Sequence, residues 1–143
     1  MLSFARKALQ RKRGVKRDFI VSLEESFSKL VNTLKSHPLI VETDVISKQT
    51  INDEGYIRLI AKFINGNELH VFEYQISGDV KKYAYHLQNS GGKLILRYDN
   101  RPHYPEIETF PHHKHLADSP KPEASQKPTI KSLLAEASRY VKS

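Results

Sequence analysis

The stretch 56-YIRLIAKFINGNELHVFEYQISGDVKKYAYHLQNSGGKLILRYD-99 decides the fold, because it alternates extended runs with short turns. The turns are marked by Asn65-Gly66, which is the strongest two-residue hairpin signal, by Ser77-Gly78-Asp79 and by residues 89–92. The runs between them are rich in β-branched and aromatic residues and cover 56–64, 68–76, 80–88 and 93–99. Together with an extended segment at 39–51, they predict an antiparallel meander of about five strands.

The turn lengths assign the side chains to two faces of this sheet. Two-residue turns at Asn65-Gly66 and Gly78-Asp79 and an even turn at 89–92 set the register, and an odd turn would break it. The predicted core face collects Ile57, Leu59, Phe63, Phe72, Tyr74, Ile76, Tyr83, Tyr85, Leu87, Leu94, Leu96 and Tyr98. The opposite face collects Arg58, Lys62, Glu73, Lys82, His86, Arg97 and Asp99, interleaved with Ile60, Val71 and Ile95.

One amphipathic helix is predicted before the meander in the sequence and one after it. Residues 18–36 carry one apolar stripe, which Asp18 can cap, with a capping box of Ser22 and Glu25 as the alternative start. The helix should end at His37-Pro38, since the residue before a proline avoids the helical region. Residues 129–142 carry a stripe that is too short to be stable alone. This second helix should therefore dock on its own sheet, on a second copy in a homodimer, or on a partner.

The predicted fold class is α+β, with an N-terminal helix packed on an antiparallel meander, a His/Pro-rich loop and a C-terminal helix. The predicted organisation is a basic tail at 1–17, an α+β domain at 18–116, a linker at 117–128 and a C-terminal helix at 129–143. The linker, ADSPKPEASQKP, is too poor in apolar residues to form a core of its own.

Charge and composition narrow the class of protein. The net charge of +7 lies in residues 1–17, because the rest of the chain holds 16 basic and 16 acidic residues. This tail, which includes Arg11, Lys12 and Arg13, predicts a solvated N-terminus, an arm that binds RNA or another polyanion, or a targeting presequence. The absence of cysteine excludes disulfides and thiolate zinc sites. No apolar run is long enough for a membrane span, so we expect a cytoplasmic protein without a membrane partner.

Histidine and proline concentrate in the segment 97-RYDNRPHYPEIETFPHHKH-115. Imidazole takes and gives protons near neutral pH, and prolines help to hold it in place. One interpretation is metal-independent RNA cleavage, which needs a base for the 2′-OH, an acid for the leaving oxygen and a cation for the phosphate. The candidate catalytic residues are Arg97 as the phosphate clamp and His112, His113, His115, His86 and Glu73 for proton transfer. The candidate binding residues are Asp99, His103 and Lys114, with Arg11, Lys12 and Arg13 of the tail.

Three other interpretations of the same segment stay open. His112, His113 and His115, with Asp99 or His103, could bind Zn²⁺ or Mn²⁺, although neighbouring side chains diverge and we therefore expect no metal and no other cofactor. A non-enzymatic module could bind nucleic acid or protein through the same surface. In the simplest interpretation, the histidines bond to backbone carbonyls and the outer charges only face water.

The segment from Lys82 to His115 closely resembles the TumE family of toxin-antitoxin proteins. The resemblance lies in a Tyr-x-Tyr-His strand, a Gly-Lys-Leu-Ile hairpin exit and, most specifically, Thr-Phe-Pro-His-His-Lys-His at 109–115. It implies a toxin of a type II toxin-antitoxin system, encoded beside a DNA-binding antitoxin that neutralises it. Toxins of this kind commonly act on RNA. Position 104 is Tyr where many relatives are expected to have His, and the basic tail and C-terminal helix lie outside the pattern.

Overall fold

The computed structural model describes residues 22–141 and confirms the α+β class. A single antiparallel sheet has its strands in chain order, and one helix lies at each end of the described chain. The elements are α1 Leu23–Lys35, β1 Ile40–Ile51, β2 Glu54–Phe63, β3 Glu68–Ile76, β4 Asp79–Gln88, β5 Leu94–Asp99, β6 His113–Leu116, β7 Glu123–Ala124 and α2 Ile130–Ser138. Within residues 22–141, no helix is both long and apolar enough to span a membrane.

The first helix begins at the second of the two predicted starts. The Ser22 side chain accepts a hydrogen bond from the Glu25 amide, and the Glu25 carboxylate accepts one from the Ser22 amide. This reciprocal pair satisfies two of the donors that a helix N-terminus leaves free. Asp18 and the tail residues Arg11, Lys12 and Arg13 lie outside the described residues. Helix α1 buries Leu23, Phe27, Leu30 and Leu34 against the sheet.

The hairpin that joins β2 to β3 has an odd turn, so the face prediction is wrong for β3. The Phe63 amide donates to the Asn67 carbonyl at 2.8 Å, which leaves three loop residues where two were predicted. The third, Gly66, has φ +94°, a value that glycine adopts without strain. Strand β3 is therefore turned over. Its Phe72 and Tyr74 lie on the outer face, while Leu69, Val71, Glu73 and Gln75 are buried.

A second irregularity restores the predicted faces in β4 and β5. The pairing of β3 with β4 slips by one residue between Tyr74 and Gln75, at a β-bulge. Tyr83, Tyr85 and Leu87 therefore point into the core as predicted, and Leu96 and Tyr98 follow in β5. These two one-residue departures cancel each other, so the faces of β4 agree with the prediction although those of β3 do not. A further shift of the β4–β5 pairing lies between Leu87 and Gln88, and Ile95, which was predicted on the outer face, packs against the core.

The C-terminal helix packs on its own sheet. Leu133, Leu134 and Ala137 are buried in the same core as α1 and the strands. The Tyr98 hydroxyl of β5 also donates to the Glu136 carboxylate of α2. Of the three predicted docking surfaces for this helix, the structure shows the helix's own sheet. A homodimer stays a prediction. The segment 117–128 contains the short strand β7, which pairs with β6.

Candidate functional site

The histidine-rich block forms an edge-proximal strand of the sheet, which determines where its side chains lie. Strand β6 pairs antiparallel with β5, and alternation sends His113 and His115 to the outer face and Lys114 to the inner one. Cross-strand pairing then builds two parallel rows on the outer face. The first row is Ile60, His70, His86, Arg97 and His115, and the second is Arg58, Phe72, Ala84, Asp99 and His113.

Asp99 is the central hydrogen-bond acceptor of the candidate site. Its carboxylate accepts from Arg97 Nε at 2.9 Å, from the Arg101 amide at 3.0 Å and from His113 Nε2 at 3.0 Å, and its side chain is 3% exposed. Burial alone raises the pKa of Asp99. However, the hydrogen bonds from Arg101 and Arg97 and the positive charge of His113 outweigh burial and leave the pKa below its ordinary value of 3.8. Asp99 therefore holds a fixed negative charge beneath the site.

His113 is a buried support for the neighbouring ring. Its Nδ1 lies 3.0 Å from the Pro111 carbonyl and its Nε2 faces Asp99, so both of its neighbours are acceptors. The edges of Tyr104 and His115 close around it, with ring centroids 5.0 and 4.9 Å away. With a 2% exposed side chain, His113 is enclosed by these neighbours.

Arg97 lies between two accessible imidazoles. One of its terminal nitrogens is 3.4 Å from His86 Nδ1, and on its other side it is paired with His115 of β6. Burial lowers the pKa of His86, and the positive charge of Arg97 lowers it further by a smaller amount. Burial also lowers the pKa of His115, and the nearby His113 makes a smaller contribution in the same direction. Both rings are therefore neutral at neutral pH. The side chains of Arg97 and His115 are each 26% exposed, which leaves them open to a ligand.

Three of the predicted site residues, His112, Lys114 and His103, lie outside both rows. His112 stacks on Tyr83 and bonds its hydroxyl at 2.9 Å, towards the inner side of the sheet. Lys114 pairs with Glu136 of α2 at 2.6 Å. His103 is exposed at the rim, where its ring lies 6.4 Å from that of Tyr104.

Glu73 was predicted beside Arg58 on the outer face, and that placement is wrong. The three-residue turn before β3 buries it, and it accepts hydrogen bonds from Tyr85 and Gln75 on the inner face. Burial and the nearby Glu73 carboxylate raise the pKa of Tyr85, so the phenol stays a proton donor to Glu73. This pair belongs to the core and lies on the opposite side of the sheet from Arg97.

Three of these residues also have the composition of a metal site. One ligand atom each from Asp99, His113 and His115 lie within 4.8 Å of one another. Yet the Asp99 carboxylate already accepts from a guanidinium and from His113, and Arg97 brings a positive charge to the place that a cation would take. The donor set is therefore engaged in an ion-pair network and fits a metal poorly.

His70 is the site residue that sequence reasoning missed. It lies next to His86 in the first row, with ring centroids 5.9 Å apart, and bonds Glu68 at 3.0 Å. The alternation of side chains along β3 places His70 on the same face as Phe72. The prediction of a two-residue turn before β3 assigned that face to the core.

Replacing Asp99 by asparagine is expected to destabilise the fold by roughly 3 kcal/mol at pH 7, because it removes the charge that pairs with buried His113 and Arg97. The pKa of Asp99 is lowered in the folded protein, so its stabilisation is present above pH 3.8 and is lost as pH falls through the folded pKa. Urea unfolding should therefore show a gap between wild type and variant that narrows in acid. Asp118→Asn, in an exposed turn, is the control. A pH-independent gap would contradict the charge argument.

The fold and the site define a small α+β sheet protein with an arginine held between histidines near one edge. A family model described as Toxin TumE matches residues 29–143, and the chain belongs to this family of toxins. The match extends well beyond the resembling segment and includes the C-terminal helix. No curated protein and no solved structure matches the chain. Membership of a toxin family implies an antitoxin as partner.

Proposed function

We propose that this toxin cleaves RNA without a metal ion, using the ribose 2′-OH as the nucleophile. One observation carries the proposal: Arg97 lies between two neutral, accessible imidazoles, His86 and His115, in a single cross-strand row. In-line attack on a phosphodiester places the entering and leaving oxygens on opposite sides of phosphorus. A phosphate held by Arg97 would therefore present one oxygen to each histidine.

The reaction divides among these three side chains. His115 takes the proton of the 2′-OH, whose oxygen forms a bond to phosphorus. The bond from phosphorus to the 5′-oxygen then breaks, and His86 gives that oxygen a proton. The products are a 2′,3′-cyclic phosphate and a 5′-hydroxyl. Arg97 stabilises the charge on the phosphoryl oxygens.

His115 suits the role of base because of its position relative to Asp99. Its Nε2 lies 3.9 Å from the Asp99 carboxylate, which stabilises the imidazolium that forms when the ring gains a proton. His86 has no carboxylate partner among residues 22–141. An incoming phosphate offsets the charge of Arg97 and so favours the protonated form of His86, which is the form an acid needs.

The partners follow from this chemistry and from the family. RNA is the proposed target, the antitoxin is expected to bind DNA as well as the toxin, and we therefore expect the protein to act in the cytoplasm. The basic tail, with Arg11, Lys12 and Arg13, would add affinity for RNA through release of counterions. In the alternative function, the same surface binds RNA or a partner without cleaving it.

Replacing His86 by glutamine is expected to slow cleavage by about 100-fold or more, because the acid is lost. Purified protein should be incubated with RNA in EDTA, and the initial rate of product formation measured. His112→Gln should cleave within a few-fold of wild type, since His112 stacks on Tyr83 away from the row.

His37→Gln serves as the histidine control, because His37 lies between α1 and β1 and bonds α2. Equal rates for wild type and His86→Gln would overturn the proposed role. Binding of RNA without any product would replace cleavage by the alternative function.

A further inference from the structure

A cavity of about 900 Å³ lies beside Arg97, between the outer face of the sheet and the loop that leads to β6. Asn100, Arg101, Pro102, Phe110 and Pro111 of this loop form one wall. The described residues that line the cavity include five cationic side chains and no carboxylate. The cations are Arg58, Lys81, Lys82, Arg97 and Arg101. These positive charges attract a polyanion and disfavour an uncharged apolar ligand.

The floor of the cavity is apolar and contains an arginine packed on an aromatic ring. Ile60, Phe72 and Ala84 contribute from three adjacent strands. The Arg58 guanidinium lies 4.4 Å from the centre of the Phe72 ring, a cation–π contact. Within residues 22–141, Arg58 has no carboxylate within salt-bridge distance, so aromatic packing and not an ion pair holds its guanidinium in place.

We propose that this cavity binds an unpaired nucleobase of the RNA, stacked on the Arg58 guanidinium that Phe72 supports. The inference rests on the proposed function, because it places the base next to the phosphate at Arg97. Guanidinium planes and aromatic rings are the surfaces on which proteins stack the exposed bases of single-stranded RNA. Phe72 and Arg97 are two strands and two residues apart, roughly 12 Å, which suits a nucleotide close to the cleaved bond.

A base-paired substrate does not fit this arrangement. In a duplex both faces of each base are already covered by its neighbours, and the cavity is a concave pocket in a sheet, not a groove that follows a helix. The substrate class is therefore single-stranded RNA, with its base recognised by stacking and its backbone by Arg97, Arg101 and the lysines.

The test compares two uncleavable probes, so that it does not depend on catalysis. One probe is a short 2′-fluoro oligonucleotide of random sequence, and the other is an abasic oligomer of equal length and charge. Phe72→Leu, which keeps the apolar volume and loses the ring, should weaken binding of the base-bearing probe about 5- to 50-fold. Binding of the abasic probe should stay unchanged. Arg58→Lys, which keeps the charge and loses the plane, should show the same selective loss.

Tyr140→Leu, an exposed aromatic outside the cavity, should bind both probes as wild type does. The inference would be overturned if both variants bound both probes as tightly as the wild type does. It would also be overturned if both variants bound the two probes more weakly by the same factor. Cleavage by the wild type without this selectivity would leave the proposed function standing and remove the base site. Selective loss without cleavage would keep the base site and remove the cleavage mechanism. Arg58 is exposed, so its variant remains informative even if Phe72→Leu does not fold.

Discussion

Replacing Arg97 by alanine is expected to lower the rate of RNA cleavage by about 100- to 1,000-fold, the range for loss of one preorganised donor to a developing oxyanion. Two structural facts set this expectation. Asp99 fixes the guanidinium through Nε, and the side chain remains 26% exposed between His86 and His115. Single-turnover cleavage of a defined RNA in EDTA gives the rate directly, with RNA affinity measured on a 2′-fluoro analogue.

The conservative variant separates charge from geometry. Arg97→Lys keeps the positive charge but loses the planar fork that reaches Asp99 and a phosphate together, so it should recover only part of the lost rate. Arg139→Ala, at the exposed end of α2, is the control for loss of an arginine. A full rate in Arg97→Ala, with its unfolding midpoint unchanged, would show that Arg97 does not hold the reacting phosphate.

Replacing His115 by alanine is expected to lower cleavage by about 100- to 10,000-fold, because the general base is removed. The dependence of the cleavage rate on pH is the second part of this prediction. Burial and the charge of His113 lower the pKa of His115 below 6.5, so the wild-type rate falls on the acidic side as the ring of this base is protonated. On the alkaline side the rate falls as His86 loses the proton that it gives to the leaving oxygen. The rate should be followed from pH 4 to pH 8 with substrate below saturation.

Asp99→Asn shifts this acidic limb in a predictable direction. The carboxylate raises the pKa of His115 against the larger effects that lower it. Its removal should therefore move the limb to lower pH, while reducing the maximal rate because Arg97 loses its anchor. A limb that stays at the same pH in His115→Ala would assign it to another group and contradict the role of His115 as base.

Much of the fold could be predicted from local sequence signals. The capping box of Ser22 and Glu25, the glycine turns and the alternation of β-branched residues are all short-range features, and all appear in the structure. The face of β3 could not be predicted, because one residue in the length of a turn inverts a whole strand. Asn65-Gly66 permits a two-residue and a three-residue turn alike, and the choice depends on packing across the sheet.

Several residues that the sequence indicated for a site lie together in the structure, but their arrangement could not be predicted. Arg97 meets His86 because β5 pairs with β4. The second strand pairing, of β6 with β5 across a long loop, brings His113 and His115 to the same face. Alternation then separates Lys114 from His113 and His115, which the local sequence alone could have indicated once β6 was known as a strand. His112 departs to Tyr83 because it precedes the first residue of that strand, where the backbone still follows the loop.

The chemistry of the cut ends tests the proposed cleavage mechanism most directly. A DNA oligonucleotide with a single ribonucleotide, incubated with the protein in EDTA, presents one 2′-OH to the site. The proposed mechanism predicts one cut, after that ribonucleotide, with a 2′,3′-cyclic phosphate on one product and a 5′-hydroxyl on the other. Cleavage at deoxynucleotides, or cleavage that appears only when a divalent metal is added, would contradict it.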